Sequence, residues 1–296
     1  MLRGVTSLRK MSSYSGRKLT AVVKELENFA PLSLAEKWDN VGLLIEPHNE
    51  RDVKKILLTN DLTEPVMKEA VEKQVEMIIS YHPPIFKPLT RITKSNWKER
   101  VVAACLANSI ALYSPHTSWD KKTGGVNDWL AQSVTIKSIR PLIPEFGCTE
   151  PGTGSGRLIE TNMTISQLVE ALQHHIENDV HVALAVGHDS KTLVRTVGIC
   201  AGSGGSLLRG IQADTIITGE MSHHELLEFN HNGTTVLLCN HSNSERGFLR
   251  MFAPKLGELL QGACQILISE KDQDPLVTAV RVSECRPKAS STINRS

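Results

Sequence analysis

Val236-Leu-Leu-Cys-Asn-His-Ser-Asn-Ser-Glu245 is the stretch from which the fold can be read. A short apolar run ends, a histidine follows, and a carboxylate stands four residues after the histidine. Ile110-Ala-Leu-Tyr113 leads in the same way to His116-Thr-Ser-Trp-Asp120. Short apolar runs bounded by turn residues read as buried strands. Positions four apart on a helical turn share a face, so each histidine and carboxylate are expected to converge just past a strand end. Imidazole nitrogen and carboxylate oxygen are common metal donors, and two such pairs in matching contexts point to a metal site.

The flanking sequence supplies the frame. Apolar runs at 54–60, 76–81 and 110–113, and again at 194–200, 214–218 and 236–239, alternate with helix-like segments. Strands alternating with helices predict parallel sheets with helices packed on them. Each half runs strand, helix, strand, His-bearing loop, helix, strand and then His-x-x-x-carboxylate. The separation of His116 from His241 equals that of Asp120 from Glu245. The expected fold is α/β: two similar halves, a duplicated unit of mostly parallel or mixed sheets, with the site at their interface. The expected boundaries are a basic leader at 1–18, a first half at 19–134, a linker at 135–157, a second half at 158–284 and a disordered tail at 285–296. The linker is placed by lost periodicity and by Pro141, Pro144, Pro151 and Gly152-Thr-Gly-Ser-Gly156. Further strands are expected at 265–269 and 276–282.

Composition narrows the function. At 40% hydrophobic and 22% charged residues the chain is that of an ordinary globular protein. A net charge of +1 with no basic stripe beyond the leader argues against direct nucleic-acid binding. No apolar run approaches the roughly 20 residues of a membrane-spanning helix. The six cysteines include no Cys-x-x-Cys pair and sit largely in apolar runs, so neither disulfides nor a thiolate zinc site is expected, and a reducing, cytoplasmic setting follows. Residues 1–18 carry Arg3, Arg9, Lys10, Arg17 and Lys18 and no carboxylate. That composition fits a mitochondrial presequence, the alternative being an unstructured leader with Met11 as a second start.

His82, which ends a strand before Pro83-Pro84, joins His116, Asp120, His224 and His241 just past strand ends, where ligands bind in open α/β sheets. A histidine in such a place also serves as an ordinary capping or hydrogen-bonding residue. Gly202-Ser203-Gly204 opens a strand-to-helix loop of the kind that binds anions, although it lacks the Lys-Ser/Thr of a P-loop, and a tight turn is the simpler reading. Glu220 and Glu225 read as helix-start carboxylates, Trp38-Asp39 as a structural corner, and Trp97, Trp119 and Trp129 as packing residues.

Trp38-Asp-Asn-Val-Gly42, Thr59-Asn-Asp61, Ser80-Tyr-His-Pro-Pro84, Ser114-Pro-His-Thr117 with Asp120, Cys200-Ala-Gly-Ser-Gly204, Thr218-Gly-Glu-Met-Ser-His-His224 and His241-Ser-Asn-Ser-Glu-Arg-Gly-Phe248 follow one another from about residue 19 to 283. In this order they resemble the NIF-three-like family, also filed as GTP cyclohydrolase I type 2 homologues, and its animal branch in particular. The resemblance implies two divalent ions (zinc, manganese or iron) held by His82, Asp120, His241 and Glu245. It also implies a homo-oligomer, hexameric in bacterial relatives; the domain that some members insert between the halves is not expected here, because only the short linker at 135–157 occupies that junction. Bacterial members usually carry two adjacent histidines where this chain has Tyr81-His82, so the second ion loses one ligand. The chemistry expected is metal-dependent hydrolysis of a small, nucleotide-like substrate, with His116 or His224 as the proton-transferring residue. The alternative is an adaptor acting through protein partners in transcriptional co-regulation, its metal site structural or vestigial.

Overall fold

Residues 14–49 and 51–277 are described by the computed structural model. Strands β1 (Gly42–Ile45), β2 (Lys55–Thr59), β3 (Met77–Ser80) and β4 (Ala111–Ser114) form a first sheet. A second holds β5 (Ser138–Arg140), β6 (Arg157–Thr164), β7 (His181–Ala183), β8 (Leu193–Ser203), β9 (Thr215–Glu220) and β10 (Thr235–Leu238). Strand β11 (Gln265–Ile268) then returns to the first sheet, parallel to β2. The orders are β11-β2-β3-β4-β1 and β7-β10-β9-β8-β6-β5. Each sheet is built on three sequential parallel strands, β2-β3-β4 and β8-β9-β10, and so carries loops at one set of carboxyl ends. The flanks differ, because β11 beside β2 is parallel whereas β6 beside β8 is antiparallel.

Burial explains the near-continuous apolar runs of the first sheet. Leu57, Ile78 and Leu112 pack on one face against helices Glu64–Glu72 and Trp97–Ala107. Ile56, Leu58, Ile79 and Tyr113 point the other way, into a core shared with Val197, Ile199, Ile217 and Leu237 of the second sheet. Parallel strands covered on both faces read in this way. Trp119 and Trp129 are buried in the shared core, while Trp97 is exposed. Helix Ile165–Ile176 starts at a Thr164/Gln167 capping box, which satisfies backbone donors at both positions.

Several boundaries differ from those read in the sequence. The stretch 135–157 is not a free linker: β5 pairs with β6, and Ile143–Pro144 pairs with Gly154–Ser155. Arg17 and Lys18 pair with Asp52–Val53 rather than belonging to a leader. The helix expected from His241 is a 3-10 turn at Ser242–Ser244, and the α-helix begins at Phe248. The leader's first 13 residues, most of the strand expected at 276–282, and the tail lie outside the described residues. No helix among the described residues is long and apolar enough to cross a membrane, and the five cysteines among them are free.

Candidate metal centre

The carboxyl ends of the parallel strands meet where the two sheets face each other. His82 follows β3 of the first sheet; His241 and Glu245 follow β10 of the second. Their donor atoms form a single group. His82 Nε2 lies 3.3 Å from His241 Nε2 and 3.4 Å from Glu245 Oε2, and His241 Nε2 lies 3.4 Å from Glu245 Oε1. Tetrahedral coordination with bonds of about 2.0–2.1 Å places neighbouring donors about 3.3–3.4 Å apart, so the spacing fits one small divalent cation.

The proton inventory agrees. His82 Nδ1 is 2.9 Å from Asp61 Oδ1, and His241 Nδ1 is 2.9 Å from Glu220 Oε1. An ionised carboxylate only accepts, so each Nδ1 carries the proton and donates it. Asn60 Nδ2 lies 3.4 Å from His82 Nδ1, a longer contact than Asp61 makes. Each Nε2 is then left to face the other and the buried Glu245 carboxylate, and something positive has to stand among the three. In the metal-free protein a proton on His82 meets that demand: burial works to lower its pKa, but the Glu245 and Asp61 carboxylates overcome burial and push it up to about 11. A divalent cation would replace that proton and leave both Nε2 lone pairs to coordinate it. Glu245 stays ionised for the reciprocal reason, its burial outweighed by His82, His241 and the Asn60 amide.

Asp120 stands apart from this group. Its partly buried carboxylate accepts a hydrogen bond from the Tyr81 hydroxyl, and burial raises its pKa to about 6. Tyr81 thus sits on Asp120 where the resemblance would place a second imidazole. His116 is built like the two clustered histidines, with Nδ1 held at 2.7 Å by the buried Asp39. Asp39 also accepts from the Thr117 amide and hydroxyl. The His116 ring is 5.3 Å from that of His82. Its Nε2 has no protein partner among the described residues, and its backbone sits at φ 36°. Non-glycine residues held there cluster at functional sites.

A cavity of about 740 Å³ opens beside the cluster, lined by Trp38, Tyr81, His116, Asp120, His241 and Glu245 among others. Ser203 lines it too, but the loop is a tight turn more than an anion cradle. Gly202 N–H donates to Ser244 Oγ at 2.8 Å and Gly204 N–H to Thr218 Oγ1 at 3.1 Å, so neither is free. His224 is exposed beside His223 and does not line the cavity. Asp39, Asp61 and Glu220 escaped the sequence reading as histidine partners. The available signal was position: Asp61 and Glu220 stand at the ends of the strands neighbouring those that carry His82 and His241.

Fold and donors together define a mixed α/β protein whose two sheets meet at a histidine–carboxylate cluster suited to a divalent cation. The model of the family described as Duf34/NIF3 (NGG1p interacting factor 3) matches residues 17–275, and the chain belongs to that family. It is 74% identical over 271 residues to NIF3-like protein 1 of Drosophila melanogaster, covering 92% of each chain. It is 35% identical to NGG1-interacting factor 3 of Saccharomyces cerevisiae, over 88% of this chain and 97% of the yeast protein. The solved structure of a Bacillus cereus protein related to NIF3 superimposes with a TM-score of 0.79 at 19% identity, covering 88% of this chain and 99% of that one.

Proposed function

We propose that this protein is a metal-dependent hydrolase of a small, nucleotide-like substrate, with a divalent ion held by His82, His241 and Glu245. The observation that carries the reading is three convergent acceptors beside a cavity of drug-sized volume. A bound zinc, manganese or iron ion would supply Lewis acidity, acidifying a water and polarising the bond attacked. The protein's own groups then have distinct tasks. The cavity walls orient the substrate. His116, its Nδ1–H fixed on Asp39, offers Nε2 to accept a proton within the cavity. Tyr81 holds Asp120 in place through Oδ1.

Elemental analysis of purified protein beside Glu245→Ala and His82→Ala tests the centre, and a screen of phosphoester and nucleotide substrates tests the chemistry. About one equivalent of metal, lost in both variants, with turnover that follows metal content, is the expected result. Wild-type protein that takes up no metal after reconstitution ends the hydrolase reading. A second reading rests on the printed name of the yeast relative, which describes it as a factor interacting with NGG1. Under it the chain acts through protein partners and the ion is structural. Stoichiometric metal without turnover on any substrate would favour it.

A further inference from the structure

We propose that Asn60, Asp61 and Glu220 are positioning residues for the cation, each gripping one of the three donor side chains; this rests on the metal-centre reading above. Asp61 accepts the Nδ1–H of His82, and Glu220 accepts the Nδ1–H of His241. Asn60 Nδ2 donates to Glu245 Oε2 at 3.1 Å. Every donor side chain therefore has its own partner.

The placement follows one rule in both sheets. His82 follows β3, and Asp61 follows β2, the parallel neighbour of β3. His241 follows β10, and Glu220 is the last residue of β9, the parallel neighbour of β10. Adjacent strands lie about 4.8 Å apart, so a carboxylate at the end of one reaches the far nitrogen of an imidazole past the end of the next. Without that hold a neutral imidazole divides between two tautomers and several rotamers, and only one combination aims Nε2 at the ion.

Local folding does not account for these contacts. Glu220 is more than half exposed, and the following helix His223–His231 is capped by Ser222 and Glu225 without it. Asn60 is 1% exposed, and its Oδ1 is buried with no partner, so its amide is oriented by what Nδ2 donates to. Of the acceptors around Nδ2, Glu245 is the nearest at 3.1 Å, against 3.4 Å to Asp61 Oδ2.

The experiment measures zinc affinity of the full chain by chelator competition, and records the cobalt(II) absorption spectrum, for wild type, Asn60→Ala, Asp61→Asn and Glu220→Gln. Glu36→Gln is the control for bulk charge, since Glu36 lines the same cavity but pairs with Lys121. Losing an outer-shell partner typically weakens metal binding by about 10- to 100-fold. That range is expected for all three variants, with Asp61→Asn above Glu220→Gln because the His82–Asp61 pair is less exposed. The cobalt bands should shift or weaken in the three variants and stay unchanged in Glu36→Gln. Glu220 lies on the surface, so Glu220→Gln is expected to keep the fold, checked by its circular dichroism and melt, and its result stands even where a buried variant fails to fold. Wild-type affinity and spectrum in Glu220→Gln and Asp61→Asn would overturn the proposal and leave the centre intact. An equal loss in Glu36→Gln would overturn it in favour of bulk charge. A wild-type protein that binds neither metal would remove the centre and the proposal together.

Discussion

Gly202→Ala is the sharpest test of how closely the second sheet's loop is fitted to the cluster. Gly202 sits at φ +66°, and a Cβ built on it would lie 2.5 Å from Glu245 Oε1 and 3.2 Å from His241 Nε2. Two costs follow. Left-handed backbone costs a non-glycine residue about 1–2 kcal/mol. In a chain of this size that amounts to a fall of about 2–3 °C in Tm. The second cost falls on the site. Ordinary contact begins at 3.4 Å, so Glu245 Oε1 must retreat by about 0.9 Å, the difference between the two distances. A donor displaced that far should weaken metal affinity by at least about tenfold, comparable with losing an outer-shell partner. Gly233→Ala separates the two effects, because Gly233 has φ +83° and nothing within 4 Å of the added methyl. Melting curves of the metal-free proteins and zinc titrations of both variants complete the assay. Gly233→Ala should lose stability and keep its affinity; Gly202→Ala should lose both. A Gly202→Ala protein that binds zinc as wild type does would refute the reasoning, since Glu245 would then not be held where the loop approaches it.

Tyr81→Phe takes from the partly buried Asp120 carboxyl its hydroxyl partner and should cost about 0.5–1.5 kcal/mol, read by thermal melting; an unchanged Tm would show that the bond contributes nothing net. Arg157 is 1% exposed and pairs with Asp128 while donating to the Gly154, Gly156 and Lys122 carbonyls. Arg157→Ala should therefore cost about 3–5 kcal/mol by denaturant titration, as expected when one partner of a buried pair is removed. Burial alone would raise the pKa of Glu69, but Lys73, the Ser269 hydroxyl and the Glu270 amide outweigh it and lower the pKa. A depressed folded pKa contributes stability that is full above the ordinary value of 4.5 and is lost as pH falls through the folded value. Glu69→Gln should thus be less stable than wild type at pH 7, with the gap closing as pH drops below 4.5; a gap that persists in acid would contradict this. Stripping the metal should lower stability by about 2.7 kcal/mol relative to protein held at a hundredfold excess over Kd, which paired melts would measure.

The alternation of strands and helices was legible because short apolar runs ending in turn residues leave few other readings, and His82, His241 and Glu245 were legible because they end such runs. Other features lay beyond sequence pattern. A strand's sequence does not name its neighbour, so nothing in Gln265–Ile268 announces that it pairs with Lys55–Thr59 across most of the chain. The partnership of Asp39 with His116, 77 residues apart, is also long-range. Spacing of four residues predicted convergence in both histidine motifs. His241 and Glu245 converge even though a 3-10 turn separates them, whereas His116 and Asp120 turn to Asp39 and Tyr81. What decides is which polar partner lies across the fold, and periodicity carries no information about that.

The path of the chain makes the centre a property of the whole fold. Glu245 belongs to the loop after β10, yet the helix that follows, Phe248–Leu259, packs on β11 and β2 of the first sheet. Beyond β11 the chain passes the site again. Asp272 accepts the Asn60 backbone N–H and lies 3.4 Å from Arg246 Nε, while Asp274 accepts from the Ser242 hydroxyl. Asn60 adjoins Asp61, which holds the donor His82 of the first sheet, and Arg246 adjoins the donor Glu245 of the second. The segment 269–275 thus ties the loop that positions His82 to the ligand loop of the second sheet, and it can do so only after the last strand has been added to the first sheet. Neither sheet alone holds three donors, and the donors' spacing depends on closing the chain across the seam. A cation bound there would be coordinated from both sides, so its binding energy stabilises the apposition of the sheets as well as the loops that hold it.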